Sequence, residues 1–331
     1  MSFWKLLFAV ILLPICAVQA ATPGGELGTR KAILDATGQA ATARDFARLS
    51  ALETDYATHR VRTPSGTWKL ALFHAQLRYA AKGKQIEGSC DNDAARFLAD
   101  WRAATPDAPG PSIVGAAVLV DRAWCLRGSG TAAQVDPAAW PKVAAAVAEA
   151  HALLAANKRV ASADPEYYAV MAEIYLLQGR DKAAFRRMLD EATAREPAYW
   201  PLYFNAFQYY QPQWFGSYAE VDALARFAAE RSSAVEGTGG YARFYWHLDQ
   251  CNCLRRSEID WPTMKTAMAD VAVRYPDDWN FANFAKIACR MGDGSEAGVY
   301  LGKLGSDGDA AWTEPVEHAV CRQLAARSAA H

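Results

Sequence analysis

The sequence predicts an all-α fold, laid out as an array of helical hairpins, and three observations lead there. Apolar residues recur at helical spacing, as at Tyr168, Met171, Ala172 and Tyr175, where steps of three, one and three place them on one helix face. Pro-x-x-aromatic steps recur from Pro165 to Tyr168, Pro197 to Trp200 and Pro276 to Trp279, each where a helix is expected to begin. No stretch makes a convincing strand.

The clearest unit starts at Asp164-Pro165. Asp is a good N-cap acceptor, and Pro suits the first helical turn, where its missing N–H has no intrahelical partner. Gly179 ends the first helix by tolerating positive φ. Asp181 caps a second helix with Ala184, Met188 and Ala192 facing inward, and Pro197 stops it. Pro165 and Pro197 lie 32 residues apart, close to the roughly 34-residue period of tetratricopeptide repeats. Tyr168, Met171, Ala172, Tyr175, Gly179 and Ala184 supply the large, small and turn residues in the order that such a repeat wants. The interval from Pro197 to Pro276 is 79, two further units, with the intervening start expected near Gly239-Gly240-Tyr241. The expected architecture is therefore a tetratricopeptide-like α-solenoid.

The other elements follow in order. Residues 29–57 read as two helices with Ile33, Leu34, Phe46, Leu49 and Leu52 inward. Pro64-Ser65-Gly66 is a turn, Thr67 is expected to cap the next helix, and Gly83 closes it. Asp91 is expected to cap a helix carrying Phe97, Leu98 and Trp101. Residues 103–111 form a Pro-rich break, which sets the expected boundary between an N-terminal helical region, 21–105, and a tetratricopeptide-like domain, 106–331. Residues 112–126 are strongly apolar, and the flanking Pro111-Ser112 and Gly128-Ser129-Gly130 favour a helix over a strand. Helices are also expected over 137–158, 260–273, 280–291, a short segment to Leu304, and 314–327.

Composition bounds the function. The chain has 331 residues, 52% hydrophobic and 21% charged, with formal net charge −1, which suits a packed core and lacks the basic stripe of a nucleic-acid binder. Lys5, an apolar run from Leu6 to Val18 and the small-residue site Val18-Gln19-Ala20 read as a signal peptide over 1–20, cleaved after Ala20. That predicts a secreted or periplasmic protein with no transmembrane anchor after signal removal. Six cysteines then remain: Cys90, Cys125, Cys251, Cys253, Cys289 and Cys321. An even number in an oxidising compartment suggests disulfides. Cys90 and Cys125 are expected to pair with each other, and the other four to form two bridges of open connectivity.

Several local patterns coincide along the chain. They are Ala123-Trp124 followed by Arg127-Gly128-Ser129-Gly130, Pro197-Ala-Tyr-Trp-Pro-Leu-Tyr, Gln211-Pro212-Gln213-Trp214-Phe215-Gly216-Ser217, Tyr241-Ala242-Arg243 before Trp246, and Asn280-Phe281-Ala282-Asn283-Phe284-Ala285 with Cys289 and Asp293. Together they resemble a bacterial family of tetratricopeptide-like domains of unknown function, over about residues 110–315. The resemblance implies the helical-repeat fold and brings no catalytic residues with it.

Two aromatic runs are the candidate binding surface. One holds Tyr203, Phe204, Phe207, Tyr209, Tyr210, Trp214 and Phe215; the other holds Tyr241, Phe244, Tyr245 and Trp246, with Arg243 between them to meet a carboxylate. Most of these rings read as core packing between hairpins. Trp214 is the best exception, since it follows Pro212 in a loop. The candidate binding residues are Trp214, Tyr210, Arg243, Tyr245, Trp246 and His247. His247 and Cys251 share a helix face, but a Cys–His nucleophile competes poorly with disulfide bonding, and His247, Cys251 and Cys253 lack a fourth metal ligand. Arg127-Gly128-Ser129-Gly130 reads as a helix C-terminal turn rather than a phosphate loop. His59, His74, His151 and His318 read as isolated surface or satisfied core residues.

No cofactor, metal or catalytic set is expected. The leading expectation is a non-enzymatic interaction protein that takes an envelope protein or peptide on its aromatic face. The alternatives are a small-ligand binder or enzyme with a pocket around Trp214, Tyr245, Trp246 and His247, and a structural role in the envelope.

Overall fold

A computed structural model describes residues 24–83, 89–250, 254, 257–305, 311–312 and 315–330. Among these the chain forms fifteen α-helices, two 3₁₀ turns and no strand. It divides into two compact units. The first comprises Ala32–Val61 and Trp68–Phe215; the second comprises residues 24–31, Arg62–Thr67 and the chain from Gly216 onward. The Pro-rich stretch 103–111 joins two helices within the first unit.

In the first unit, most of α1 (Glu26–Ala43) is followed by α2 (Phe46–Thr58), α3 (Lys69–Ala81), α4 (Ala94–Ala104) and α5 (Gly110–Arg127). Then come α6 (Trp140–Ala161), α7 (Glu166–Gln178), α8 (Lys182–Arg195) and α9 (Trp200–Tyr209). Each of α3, α5 and α7 packs on the next odd-numbered helix as well as on a sequence neighbour. This explains the composition of α5 and α7. Both are covered on several sides, so α7 buries Tyr167, Ala169, Val170 and Ile174 in addition to Tyr168, Met171 and Ala172. The single inward face expected for that helix is too narrow; a helix in the middle of a layer is apolar almost all round.

The second unit holds α10 (Tyr218–Glu236), α11 (Gly240–Gln250), α12 (Trp261–Arg274), α13 (Asp278–Arg290), α14 (Gly294–Leu301) and α15 (Pro315–Ala329). Here α11 packs on α10, α12 and α13, and α13 on α14 and α15. The expected hairpin starts at Pro165, Pro197, Gly239-Gly240 and Pro276 all stand at or within a few residues of the first turns of α7, α9, α11 and α13.

Local chemistry sets the ends of these helices. Gly179 takes the left-handed conformation, with φ 61°, and its N–H reaches the carbonyls of Tyr175 and Leu176. The Asp181 side chain accepts the Ala184 N–H at 2.9 Å, and Ser217 and Asp293 cap α10 and α14 in the same way. Two expected caps differ. Trp68 precedes α3 with no side-chain cap, while Thr67 bonds to Arg30 and Ser65 within the second unit. Asp93 occupies the cap position of α4, and Asp91 pairs with Arg122 at 3.0 Å.

Two disulfides are present among the described residues. Cys90 joins Cys125, as expected, and Cys289 joins Cys321. Cys251, Cys253 and the expected signal segment lie outside the described residues.

Phe185 shows how the first unit is held. It is fully buried on α8 and stacks on Tyr209 at 4.0 Å, and Tyr209 donates its hydroxyl to the Arg180 carbonyl. Phe185→Ala removes its ring contacts with Tyr175, Tyr209 and Tyr210 and leaves a cavity, so it should lower unfolding free energy by about 4 kcal/mol in urea titrations.

Candidate functional site

Three helices of the first unit bring ionisable side chains into its core. On α2 the inward residues are Phe46, Leu49, Glu53 and Tyr56, so Glu53 takes one place in an apolar stripe. On α3, His74 sits among Leu70, Phe73 and Leu77. Asp164 precedes α7. Its Oδ1 accepts the Glu166 N–H at 2.8 Å and its Oδ2 meets His74 Nε2 at 2.7 Å. Glu53 Oε1 stands 4.0 Å from the same imidazole nitrogen. All three side chains are buried, and their ligand-capable atoms lie within 4.8 Å of one another.

Neither Glu53 oxygen accepts a hydrogen bond of good geometry. Its close neighbour, Asp164, is itself an acceptor. Burial, then the charge of Asp164, push the Glu53 carboxyl well above its usual range, with the His74 charge and then the Gly110 N–H only tempering the shift. Burial works against charge on His74, but Asp164 outweighs it and raises the imidazole to about 9. Glu166 is lifted by burial to about 7, while His74 and the Tyr199 hydroxyl, 2.6 Å from Glu166 Oε2, pull the other way. Gly110 opens α5 against this cluster; a Cβ there would come within 2.3 Å of the Trp101 ring and 2.9 Å of Glu53 Oε2. Close by in the same unit, Arg78 bonds Asp121 at 2.7 Å and Glu173 at 2.8 Å, so its charge is met internally.

Sequence reasoning found Asp164 as a cap and read His74 as isolated, and it missed Glu53. The available signal was a charged residue at a core position of an apolar stripe, since Glu53 falls four after Leu49 and three before Tyr56.

The aromatic surface of the first unit centres on Arg127. Its guanidinium lies over Trp214 at 5.4 Å, Trp124 at 5.7 Å and Trp140 at 6.0 Å. Trp124 and Trp214 meet edge to face at 5.8 Å. Arg127 also donates to the Gly130 carbonyl at 2.9 Å, and Gly128, with φ 73°, turns the chain back to permit it. The Arg-Gly-Ser-Gly segment is thus the expected helix C-terminal turn. Trp214 is half-buried, and Trp140 and Phe215 are each 40% exposed. Tyr210, also half-buried, packs edge-on against Phe185 and Tyr209.

The remaining candidates belong to the second unit and lie mostly inside it. Tyr245 is fully buried, and its hydroxyl donates to Asp222 at 2.7 Å, beside that of Tyr241 at 2.8 Å. Arg243 faces inward rather than toward a ligand. Its Nε stands 3.6 Å from buried Glu236, and its guanidinium covers the Tyr275 ring at 4.9 Å. A Cβ on Gly66 would come within 2.2 Å of Arg243 Nη2, so only glycine fits beside it. Trp246 is half-buried. His247 is buried, and burial pushes its imidazole down to about 4.

That shift fixes a pH dependence. Above pH 6.5, the ordinary histidine value, His247 is neutral folded and unfolded. Between 6.5 and about 4 the unfolded chain binds a proton that the folded chain refuses, so stability falls with falling pH, by up to about 3 kcal/mol from this residue. Urea unfolding at pH 7.5 and pH 4.5 should show a smaller acid loss in His247→Gln than in the native chain; equal losses would contradict the assignment.

Compared with known proteins, this chain is matched by no family model, no curated protein and no solved structure.

Proposed function

We propose that this chain is a secreted or periplasmic, tetratricopeptide-like helical array that binds a protein or peptide segment, without catalysis of its own. The observation that carries the reading is the half-exposed set of Trp124, Trp140 and Trp214 around Arg127, with Phe215 beside Trp214. Large rigid rings with an arginine among them are the residue types that dominate binding hot spots.

The array reading is supported by packing order. Odd-numbered helices follow one another from α3 to α9 in one unit and from α11 to α15 in the other, as first helices of successive hairpins do. An oxidising compartment is supported by the two disulfides. Among the described residues no helix is long and apolar enough to cross a membrane. A small-ligand pocket built on Tyr245, Trp246 and His247 draws less support, because Tyr245 is spent on Asp222 and His247 is buried.

The test is crosslinking in envelope extract with the mature oxidised chain and with Trp214→Ala of equal melting temperature. A captured segment is then synthesised and titrated against both by tryptophan fluorescence. The expected result is binding to the native chain that weakens about tenfold or more in the variant. Equal affinity for both, or no partner for either, would overturn the reading.

A further inference from the structure

We propose that Glu53, His74 and Asp164 bind one divalent transition-metal ion in the core of the first unit. Two carboxylates and an imidazole are a ligand set for Zn²⁺ or Mn²⁺, whereas Ca²⁺ and Mg²⁺ favour oxygen ligands alone. The three ligand-capable atoms already lie within 4.8 Å of one another. Donors about 2.0–2.1 Å from a tetrahedral ion stand roughly 3.3 Å apart. The observed separations from His74 Nε2 are 2.7 Å to Asp164 and 4.0 Å to Glu53, one shorter and one longer. Side-chain shifts of roughly 0.6 Å bring both to the metal-bound spacing.

An independent observation points to a ligand. Glu53 is 1% exposed, and both of its oxygens lack a well-formed hydrogen bond while facing another carboxylate. A buried carboxylate whose one nearby donor, the Gly110 N–H, makes no well-formed bond is strongly unfavourable, so the site calls for a positive charge or a proton between the two acids. Orientation is already fixed on one side, because the Glu166 N–H holds Asp164 Oδ1 and leaves Oδ2 pointing at His74. Glu166 itself, bonded by Tyr199, flanks the site and adds to its negative potential.

The ion's role is structural. Residues 53, 74 and 164 come from α2, α3 and the start of α7, so the metal ties three distant parts of the chain. Such a buried ion is taken up as the chain folds.

The untagged chain, with disulfides intact, is unfolded in guanidinium with chelator. It is then refolded with Zn²⁺, with Mn²⁺ or without metal, and desalted for elemental analysis. The expected result is about one equivalent of one of these metals per chain, with the melting temperature raised by roughly 5 °C or more over the metal-free sample. Glu53→Gln keeps the shape and can donate to Asp164, so it should fold and lose the metal; His74→Gln should lose it too. Native protein that refolds to the same melting temperature without stoichiometric metal would overturn the proposal and leave a carboxyl pair sharing a proton. Metal retained equally by both variants would place it elsewhere and also overturn it.

Discussion

Asp164 is the residue on which the first unit's interior depends. One carboxylate oxygen caps α7 and the other holds His74 on α3. The cap fixes where α7 begins, and α7 is the helix against which α5, α6, α8 and α9 all pack. The same group therefore sets a helix terminus and the polar centre of a core that is otherwise aromatic and aliphatic. Negative charge there is favoured by the N-terminal end of the α7 dipole. Glu53 has no such terminus, and burial together with the neighbouring Asp164 carboxylate drives it toward its neutral form.

The first unit handles buried charge in two ways. Around Arg78, opposite charges are matched by direct bonds to Asp121 and Glu173, with Lys82 adding a second cation at 3.0 Å from Asp121. Around Glu53 the acids outnumber the bases, and hydrogen bonding does not complete the set. A network that is nearly but not fully satisfied is costly in a core, so its persistence points to something the protein side chains do not themselves supply. The contrast between two neighbouring networks in one unit makes general softness of the core a poor explanation.

How much of this was legible in the sequence depends on the range of the interaction. Helix starts at Pro165, Pro197 and Pro276 were readable because capping and proline geometry act within one turn. The Cys90–Cys125 bridge was readable from count and spacing. The burial of α7 on nearly every side was not, since a stripe of apolar residues marks one face and says nothing of neighbours packed on the others. The His74–Asp164 contact spans 90 positions, and neither residue carries a local mark of the other. Arg243 was misplaced for a related reason: an arginine between aromatics looks like a surface anchor until Glu236, seven residues back across a turn, is seen to meet it.

The two aromatic runs diverge because of what their polar atoms require. Tyr241 and Tyr245 each carry a hydroxyl that finds Asp222, so burial costs them little and they close into the second unit. Around Arg127 the situation is reversed. The cation donates to the Gly130 and Gly128 carbonyls and is also held against ring faces. The guanidinium itself is buried beneath rings that stay half-exposed. The guanidinium in turn fixes Trp124, Trp140 and Trp214 in place, and the Gly128 turn fixes the guanidinium. A set of rings held this way would lose little freedom if a partner covered it, which is the advantage of preorganisation. The segments Ala123-Trp124-x-x-Arg127 and Gln213-Trp214-Phe215, far apart in the chain, are joined by this single cation.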